Sequence, residues 1–419
     1  MKRLLITILG IFLLTFYSST LLCSEKPIVI GSPLATAFLY GWVAERGIKL
    51  AVEEINAKGG VNVGGVRRPF KVEVIDTRDL EPGVPVSEAL LAVEKLILEK
   101  KVDFLIGGPV RSEAALAAMD IVSKYKKISI ITTGVLSPAL TQRVAENYEK
   151  YKYTFRNTNH VGNMMKEFIT FLDEIQKPFG LKSAYIMVQD VEHARRGGEA
   201  MKKALTEKGW EVIDMKIYPT GTTDYSVGLA DAKAKGADIL FLWMDMPESA
   251  ILLKQWSDLK MKALPIGFVC AAEQPGFWKA TGGRGEYLIV NVVNGGNVPG
   301  NITPWTMKFV EAYKKRWGLE PEGYGTSSSY MAVYQLKEAI EKAKSLDTDK
   351  VIAALEELDI MGVYGRMRFD KKTHQIIPSF DPKEGAVTCI FQWQQGNRVQ
   401  VFPPKVAQGK VMLPPWVKK

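Results

Sequence analysis

The sequence has few of the residues on which most enzymes and metal sites depend. It holds only three cysteines and three histidines in 419 residues. It contains no His-Glu-x-x-His, Cys-x-x-Cys, Gly-x-Ser-x-Gly or Gly-x-x-x-x-Gly-Lys pattern. The glycine run Gly282–Gly285 lacks the spacing of a dinucleotide-binding loop. We therefore expect no catalytic residues, no metal site, no cofactor and no enzyme activity.

Charge of one sign is not concentrated along the chain. The formal net charge is +9, but lysines alternate with acidic residues in stretches such as Lys337–Lys350, as on solvent-exposed helices. A nucleic-acid interface would need clustered basic residues with aromatic residues between them. We therefore expect no nucleic-acid partner.

The N-terminus carries the one long apolar run. Lys2 and Arg3 precede the apolar stretch Leu4–Phe16, and the more polar Tyr17–Cys23 follows, which is the order of an export signal. We predict a signal peptide over residues 1–23 and a periplasmic or other extracytoplasmic location. An uncleaved membrane anchor and lipidation at Cys23 are alternatives, although Leu22 stands where a lipoprotein signal has a small residue.

Cys270 and Cys389 are far apart in the sequence. Two interpretations stay open for them, a disulfide bond in an oxidising compartment and two separately buried thiols.

Short apolar runs alternate with helical patterns in two series, which is typical of parallel βαβ units. The predicted strands are Lys26–Gly31, Phe70–Asp76, Val102–Gly107 and Ile128–Thr133 in the first series, and Ser183–Gln189, Trp210–Tyr218, Ala237–Met244 and Leu264–Cys270 in the second. Three helices and two further strands follow, with a proline-rich segment at the end. The fold class is therefore α/β, with two doubly wound, Rossmann-like lobes joined by a hinge.

Later elements return to each lobe, so both lobes are discontinuous in sequence. We expect a first lobe of residues 26–153 plus 294–362, and a second lobe of residues 154–293 plus 363–419 that ends in a C-terminal strap. In open α/β sheets the ligand crevice lies beyond the carboxyl ends of the strands. The loops Gly108–Ser112 and Gly134–Ser137 should therefore lie side by side at the crevice between the lobes.

Several runs resemble one known family. They are AVEEINAKGGV (Ala51–Val61), the LIGG loop, TTGVLSPALTQ and the FRNT turn (Phe155–Thr158). The chain resembles the branched-chain amino acid (Leu/Ile/Val) binding proteins, which are type I periplasmic solute-binding components of ABC transporters. The resemblance implies a hinge that the chain crosses three times, near Tyr153–Phe155, Val290–Val293 and Val363–Gly365.

The resemblance also implies ligand-binding positions. In the family, a serine, a threonine and backbone groups hold the ligand's α-carboxylate. Here Arg111 and Ser112 stand at the serine loop, and Gly134, Val135 and Leu136 at the threonine loop, with Leu136 at the threonine position itself. A first-loop tyrosine matches Tyr40, and two cleft tyrosines of the second lobe align with His193 and Asp245. The family glutamate that takes an ammonium group falls near Val269, between Phe268 and Cys270.

The departures from the family pattern change the expected ligand. Without the glutamate, a buried ammonium group would be unpaired, which argues against a standard aliphatic amino acid. Arg111 at a helix N-terminus instead favours a carboxylate. Aromatic residues are candidates for the walls of the crevice: Trp42, Trp243, Phe268 and Tyr324.

Each candidate also has a structural interpretation. Arg111 can pair with Glu113 or Asp103, His193 can be an ordinary loop residue, and Asp245 can cap the helix predicted from Pro247. The tryptophans Trp42 and Trp243 are more typical of a core than of a stacking surface.

These features predict an extracytoplasmic solute-binding protein of an ABC importer. It would capture a small carboxylate-bearing solute, amino acid-like or an aromatic or hydrophobic acid, and act as a monomer that delivers it to membrane permease subunits. The alternative is a ligand sensor of the same fold that controls a signalling partner.

Overall fold

The computed structural model describes residues 26–417. The predicted signal peptide and Cys23 lie outside the described residues. Between residues 26 and 417, no helix combines the length and the apolar character needed to cross a bilayer.

The first lobe is built on a five-stranded parallel sheet. Its elements are β1 (Ile28–Leu34), α1 (Leu39–Ala57), β2 (Val61–Val63), β3 (Val66–Arg68), β4 (Phe70–Asp76), α2 (Val86–Leu98), β5 (Phe104–Gly107), α3 (Ser112–Lys124), β6 (Ser129–Ile131), α4 (Ala139–Glu146), α5 (Tyr148–Tyr151) and β7 (Thr154–Arg156). The strand order is β4-β1-β5-β6-β7, with every pair parallel. The direction of winding reverses between β1 and β5, so the crevice of this lobe opens beyond their carboxyl ends.

The second lobe repeats this order and extends it. Its elements are α6 (Val161–Phe179), β8 (Ser183–Gln189), α7 (Glu192–Glu207), β9 (Glu211–Tyr218), α8 (Ser226–Ala234), β10 (Ile239–Met244), α9 (Ser249–Asp258), β11 (Leu264–Val269), α10 (Phe277–Thr281) and β12 (Ile289–Val292). The sheet order begins β9-β8-β10-β11-β12, with all of these pairs parallel. Here the winding reverses between β8 and β10, which places the loops after these two strands at the crevice.

The C-terminal third serves both lobes. It contains α11 (Thr306–Trp317), α12 (Thr326–Ala343), α13 (Thr348–Glu356), β13 (Ile360–Gly362), β14 (Gly365–Met367), β15 (Cys389–Gln394) and β16 (Asn397–Phe402). The three helices pack into the core of the first lobe. Strand β15 pairs antiparallel with β12, and β16 pairs antiparallel with β15 at the edge of the second sheet. The chain thus passes between the sheets three times, after β7, β12 and β14, and the predicted architecture of two doubly wound lobes is confirmed.

We propose that the first and third passages lie slightly later than the sequence suggested. Strand β7 pairs with β6 in the first sheet, and Met367, Ile376 and Ala386 belong to the first lobe's core. We therefore propose that the first lobe keeps residues 154–156 and the segment up to about Ala386. The segment after β16 follows the second lobe, where Gln392 donates a 2.8 Å hydrogen bond to the Met412 carbonyl.

One hairpin was absent from the sequence-based prediction. Strands β2 and β3 pair antiparallel around Gly64 and Gly65, whose φ angles are +62° and +103°. Positive φ at both central residues is what a two-residue hairpin turn requires, and glycine adopts it without a steric penalty.

Candidate functional site

Aromatic side chains close the cleft between the lobes. Tyr40, on the first turn of α1, and Tyr324, just before α12, meet edge to face with ring centroids 5.2 Å apart. Both belong to the first lobe. Across the cleft, Phe268 at the end of β11 lies 6.1 Å from the Tyr324 ring, also edge to face. Three of the predicted site residues are therefore brought together by the fold.

A polar contact joins the lobes beside these rings. The Tyr40 hydroxyl lies 2.8 Å from the sulfur of Cys270, at hydrogen-bonding distance. Cys270 and Cys389 are both buried and unpaired, so the disulfide interpretation is wrong and the alternative of two separate thiols is confirmed. Burial raises the pKa of the Cys270 thiol, which stays protonated at neutral pH.

His193 and Asp245 continue this polar path in the second lobe. The Cys270 sulfur lies 3.9 Å from Oδ1 of Asp245. The other carboxylate oxygen of Asp245, Oδ2, lies 2.5 Å from Nε2 of His193. The His193 side chain is 44% exposed, and its partial desolvation alone would lower its pKa, but the adjacent Asp245 carboxylate outweighs this and raises that pKa. The capping interpretation of Asp245 is wrong, since α9 starts only at Ser249 and its N-cap residue is Glu248.

The loop after β6 supplies backbone groups. Gly134 and Val135 both have positive φ angles, +45° and +52°. Positive φ is a strained conformation for a β-branched residue such as valine. It is held by a hydrogen bond from Val135 N–H to the Val110 carbonyl (3.0 Å), while the Gly134 carbonyl accepts one from the Tyr324 hydroxyl (3.2 Å). Leu136, the next residue, is half-buried and packs against the core of the second lobe.

Arg156 stabilises the loop of residues 134–137 through hydrogen bonds. Its side chain is fully buried, and Nη1 donates hydrogen bonds to the carbonyls of Val135 (2.8 Å) and Ser137 (2.7 Å). Burial lowers the pKa of Arg156 to about 10, which still leaves it charged at neutral pH. The sequence motifs included the FRNT turn, but they predicted no role for this arginine.

Arg111 and Ser112 lie at the start of α3. The Arg111 backbone N–H donates to Oδ2 of the buried Asp79 at 2.7 Å, and its guanidinium donates to the Val84 carbonyl at 3.3 Å. Its Nε also lies 3.9 Å from Glu113, as one of the structural interpretations predicted, and 37% of the side chain is exposed. The part of Arg111 and Ser112 in binding a ligand stays a prediction.

Glu273 is a candidate site residue that the sequence-based reasoning missed. It follows β11 on a short 3-10 turn, Cys270–Glu273, four residues after the expected position near Val269. The side chain is 1% exposed, and neither carboxyl oxygen has a hydrogen-bond partner within the described chain. A Cβ atom placed on Gly323 would lie 3.6 Å from Glu273 Oε2, so the carboxyl group borders the residue before Tyr324.

The chemistry of Glu273 follows from its surroundings. Burial raises its pKa to about 8, although the nearby Arg398 cation acts in the opposite direction. A buried carboxyl group with no partner is unfavourable unless a bound group completes it. The extra 3-10 turn between the strand and the glutamate shifts the residue along the chain, which is why alignment by position failed to find it.

Trp243 and Trp42 both contact other protein side chains. Trp243 is fully buried and packs against Gly197 and Phe268 in the second lobe, as the core interpretation predicted. The Trp42 ring instead lies under the guanidinium of Arg46, 4.6 Å from its centroid.

Comparison with known proteins gives a consistent result. A family model described as a periplasmic binding protein matches residues 34–381. The Leu/Ile/Val-binding protein homolog 7 of Brucella suis is 26% identical over 389 residues, which is 91% of each chain.

Solved structures share the fold at lower identity. A putative branched-chain amino acid ABC transporter protein from Silicibacter pomeroyi has a TM-score of 0.80 at 21% identity, over 93% of this chain and 100% of that one. An R. palustris solute-binding protein in complex with benzoate has a TM-score of 0.70 at 16% identity, over 90% and 96%. These matches confirm the resemblance that the sequence motifs indicated.

Proposed function

The chain belongs to the periplasmic binding protein family, and on that premise we propose that it captures a small carboxylate-bearing solute between its lobes and delivers it to an ABC permease. The observation that carries the proposal is the buried, unpartnered Glu273 carboxyl group beside the aromatic residues of the cleft. A protein that binds solute between two lobes needs such incompletely satisfied groups, because the solute completes them.

We infer that the solute's carboxylate docks on the first lobe. The loop of Gly134, Val135 and Leu136 offers backbone groups, and the N-terminus of α3 offers Ser112 and Arg111. Backbone N–H groups and a guanidinium both bind carboxylates well. Contacts from the second lobe then stabilise the closed form, since a ligand shifts the equilibrium only by its differential affinity for the two forms.

The rest of the solute faces mixed chemistry. Tyr40, Phe268 and Tyr324 favour an apolar or aromatic body. Glu273 favours a solute that also carries an amine, because an ammonium group would complete its carboxylate. This changes the expectation from the sequence, which counted the glutamate as lost. The relative named for Leu/Ile/Val binding and the neighbour that holds benzoate support these two solute classes.

The proposal includes export. The segment 1–23 has the pattern of an export signal, and an extracytoplasmic location fits capture of solute for a membrane permease. Solute recovered from the protein should be chemically unchanged, as expected of a carrier.

A panel of matched acids tests the proposal. Thermal-shift and calorimetric titrations would compare L-leucine with 4-methylpentanoate and L-phenylalanine with 3-phenylpropanoate, with benzoate added. We expect acids to raise Tm, because they bind only the folded protein, and the amine-bearing member of a pair to bind more tightly. A panel in which no acid binds, while neutral sugars or simple amines do, would refute the carboxylate assignment.

A further inference from the structure

Arg156 is a buried cation whose hydrogen-bond acceptors are all neutral. Besides the carbonyls of Val135 and Ser137, it donates from Nε to Gln375 Oε1 (2.7 Å) and from NH2 to Thr141 Oγ1 (2.9 Å). Within residues 26–417 no carboxylate forms an ion pair with it. The buried Arg398, by contrast, pairs with Glu320 at 2.9 Å. An isolated buried charge is unfavourable, so its position needs an explanation.

The charge lies directly beneath the loop that is proposed to receive the solute's carboxylate. Because a trans peptide is planar, the N–H of Leu136 points away from the Val135 carbonyl that Arg156 binds. The guanidinium therefore polarises a peptide whose N–H faces the opposite side of the loop. Within the described chain, that Leu136 N–H donates no hydrogen bond.

The strained backbone supports the same conclusion. Val135 keeps its positive φ with its N–H bound to Val110 and its carbonyl bound to Arg156. Strained residues persist only where their surroundings fix them, and they cluster at ligand-binding sites. Gln375 also fixes Arg156 itself, because it accepts a hydrogen bond from the Arg156 Nε and donates one to the Thr158 carbonyl at 2.7 Å.

We propose that Arg156 is the counter-charge for the solute's carboxylate, acting through the peptides of residues 134–137 without touching the solute. The inference deepens the proposed function and rests on it. Arg156 is thus a positioning and charge-supplying residue. It selects an anion over a neutral group of the same shape, while the loop supplies the hydrogen bonds.

Acid and amide pairs test the charge separately from the fold. The probes are L-leucine and L-leucinamide, L-phenylalanine and L-phenylalaninamide, and benzoate and benzamide, scored on the pair whose acid binds the wild-type chain most tightly by calorimetry. In Arg156→Gln we expect the acid-to-amide affinity ratio to fall by about tenfold or more, the size expected for one charge pair at short range. Arg156→Lys keeps the charge but spans fewer carbonyls, so it should retain most of the ratio even where overall affinity falls.

Thr141→Val is the matched control, since it removes one neutral partner of Arg156 and leaves the cation. It should keep the wild-type ratio. Circular dichroism and thermal melts would establish that each variant is folded, and if Arg156→Gln does not fold, the neutral Arg156→Met takes its place. Equal losses for acid and amide in the neutral variant would overturn the inference by making Arg156 purely structural, and so would a lysine variant whose acid-to-amide ratio falls as far as that of the neutral variant. Failure of the wild-type chain to bind any acid would instead refute the proposed function itself.

Discussion

The Tyr40 hydroxyl and the Cys270 sulfur lie 2.8 Å apart and connect the first lobe to the second across the cleft. Such a contact exists only when the lobes are close together. It therefore stabilises the closed form and makes no contribution to the stability of the open form.

Removing this contact should weaken ligand binding without unfolding the protein. Tyr40→Phe deletes the hydroxyl, and we expect affinity for the tightest acid of the panel to fall by about fivefold, the value of one net hydrogen bond of about 1 kcal/mol. Calorimetric titration measures this change. Tyr185→Phe is the control, because the Tyr185 hydroxyl donates a 2.9 Å hydrogen bond to Asp231 within the second lobe, so its loss should lower Tm but not affinity. Equal effects of the two variants would contradict the role of Tyr40.

Glu273 should decide whether the solute needs an amine. In Glu273→Gln we expect an amino acid to lose about tenfold or more in affinity, while its amine-free analogue binds as before, because only the ammonium group needs the carboxylate. Glu167→Gln is the matched control, since Glu167 is equally buried but lies on α6, where Asn291 donates a hydrogen bond to it. A glutamine variant that keeps the preference for the amino acid would show that Glu273 does not face the ligand.

Glu167 should make stability depend on pH in an unusual direction. Burial raises its pKa to about 8, although hydrogen bonds from Thr388 and Asn291 oppose the shift. The folded state therefore holds a proton that the unfolded state releases near pH ~4.3. Because of this group, the free energy of unfolding should fall as pH rises from about 4.5 to 8. Glu167→Gln should lessen that loss, measured as Tm against pH. The exposed Glu207→Gln should leave the profile unchanged, and an unaltered profile in Glu167→Gln would refute the prediction.

His193 should act in the opposite sense. Desolvation lowers the pKa of His193, but the larger effect of the Asp245 carboxylate raises it. The folded state therefore favours the protonated imidazole. This stabilisation is complete below the ordinary histidine pKa of about 6.5 and is lost as pH rises through the raised value. His193→Asn should therefore lower Tm at acidic pH and converge with the wild-type chain at alkaline pH.

His160→Asn provides the comparison for that experiment. Burial, reinforced by the Arg156 charge, lowers the pKa of His160 to about 4, so below the ordinary histidine pKa of about 6.5 the unfolded state binds a proton that the folded state does not. His160→Asn removes this effect and should raise Tm relative to the wild-type chain as pH falls below about 6.5, which is the opposite trend to that of His193→Asn. A His193→Asn deficit that is independent of pH would contradict a charged His193–Asp245 pair.

Much of the fold could be predicted because it depends on local pattern. Apolar runs such as Phe104–Gly107 and Ser183–Gln189 are buried parallel strands, and their spacing implied the crossover helices. On the proposed lobe boundaries, the first and third passages lie later than the sequence suggested, because β7 and the segment before β15 carry no local signal for the sheet they join. That choice is made by long-range packing, such as that of Met367 in the first core.

The site was predictable in place but not in chemistry. Tyr40, Phe268 and Tyr324 come together because each lies at the end of an element that the fold directs to the cleft. The role of Arg156 was invisible, since nothing in the sequence tells a buried arginine with neutral acceptors from a surface one. Glu273 was missed because a single 3-10 turn displaced it, although Ala-Ala-Glu directly after a buried strand was a usable signal.

The contacts around residues 134–137 suggest how this protein could acquire new ligands. The loop of residues 134–137 is held by its own backbone hydrogen bonds, by Arg156 and by the Tyr324 hydroxyl. On the proposed function, the second-lobe residues Phe268, Asp245 and Glu273 contribute to the discrimination between solute bodies. Substitutions at these second-lobe residues should redirect the protein to a different acid and leave the loop of residues 134–137 unchanged. The second lobe is therefore the part to alter when this chain is converted into a sensor of a chosen acid.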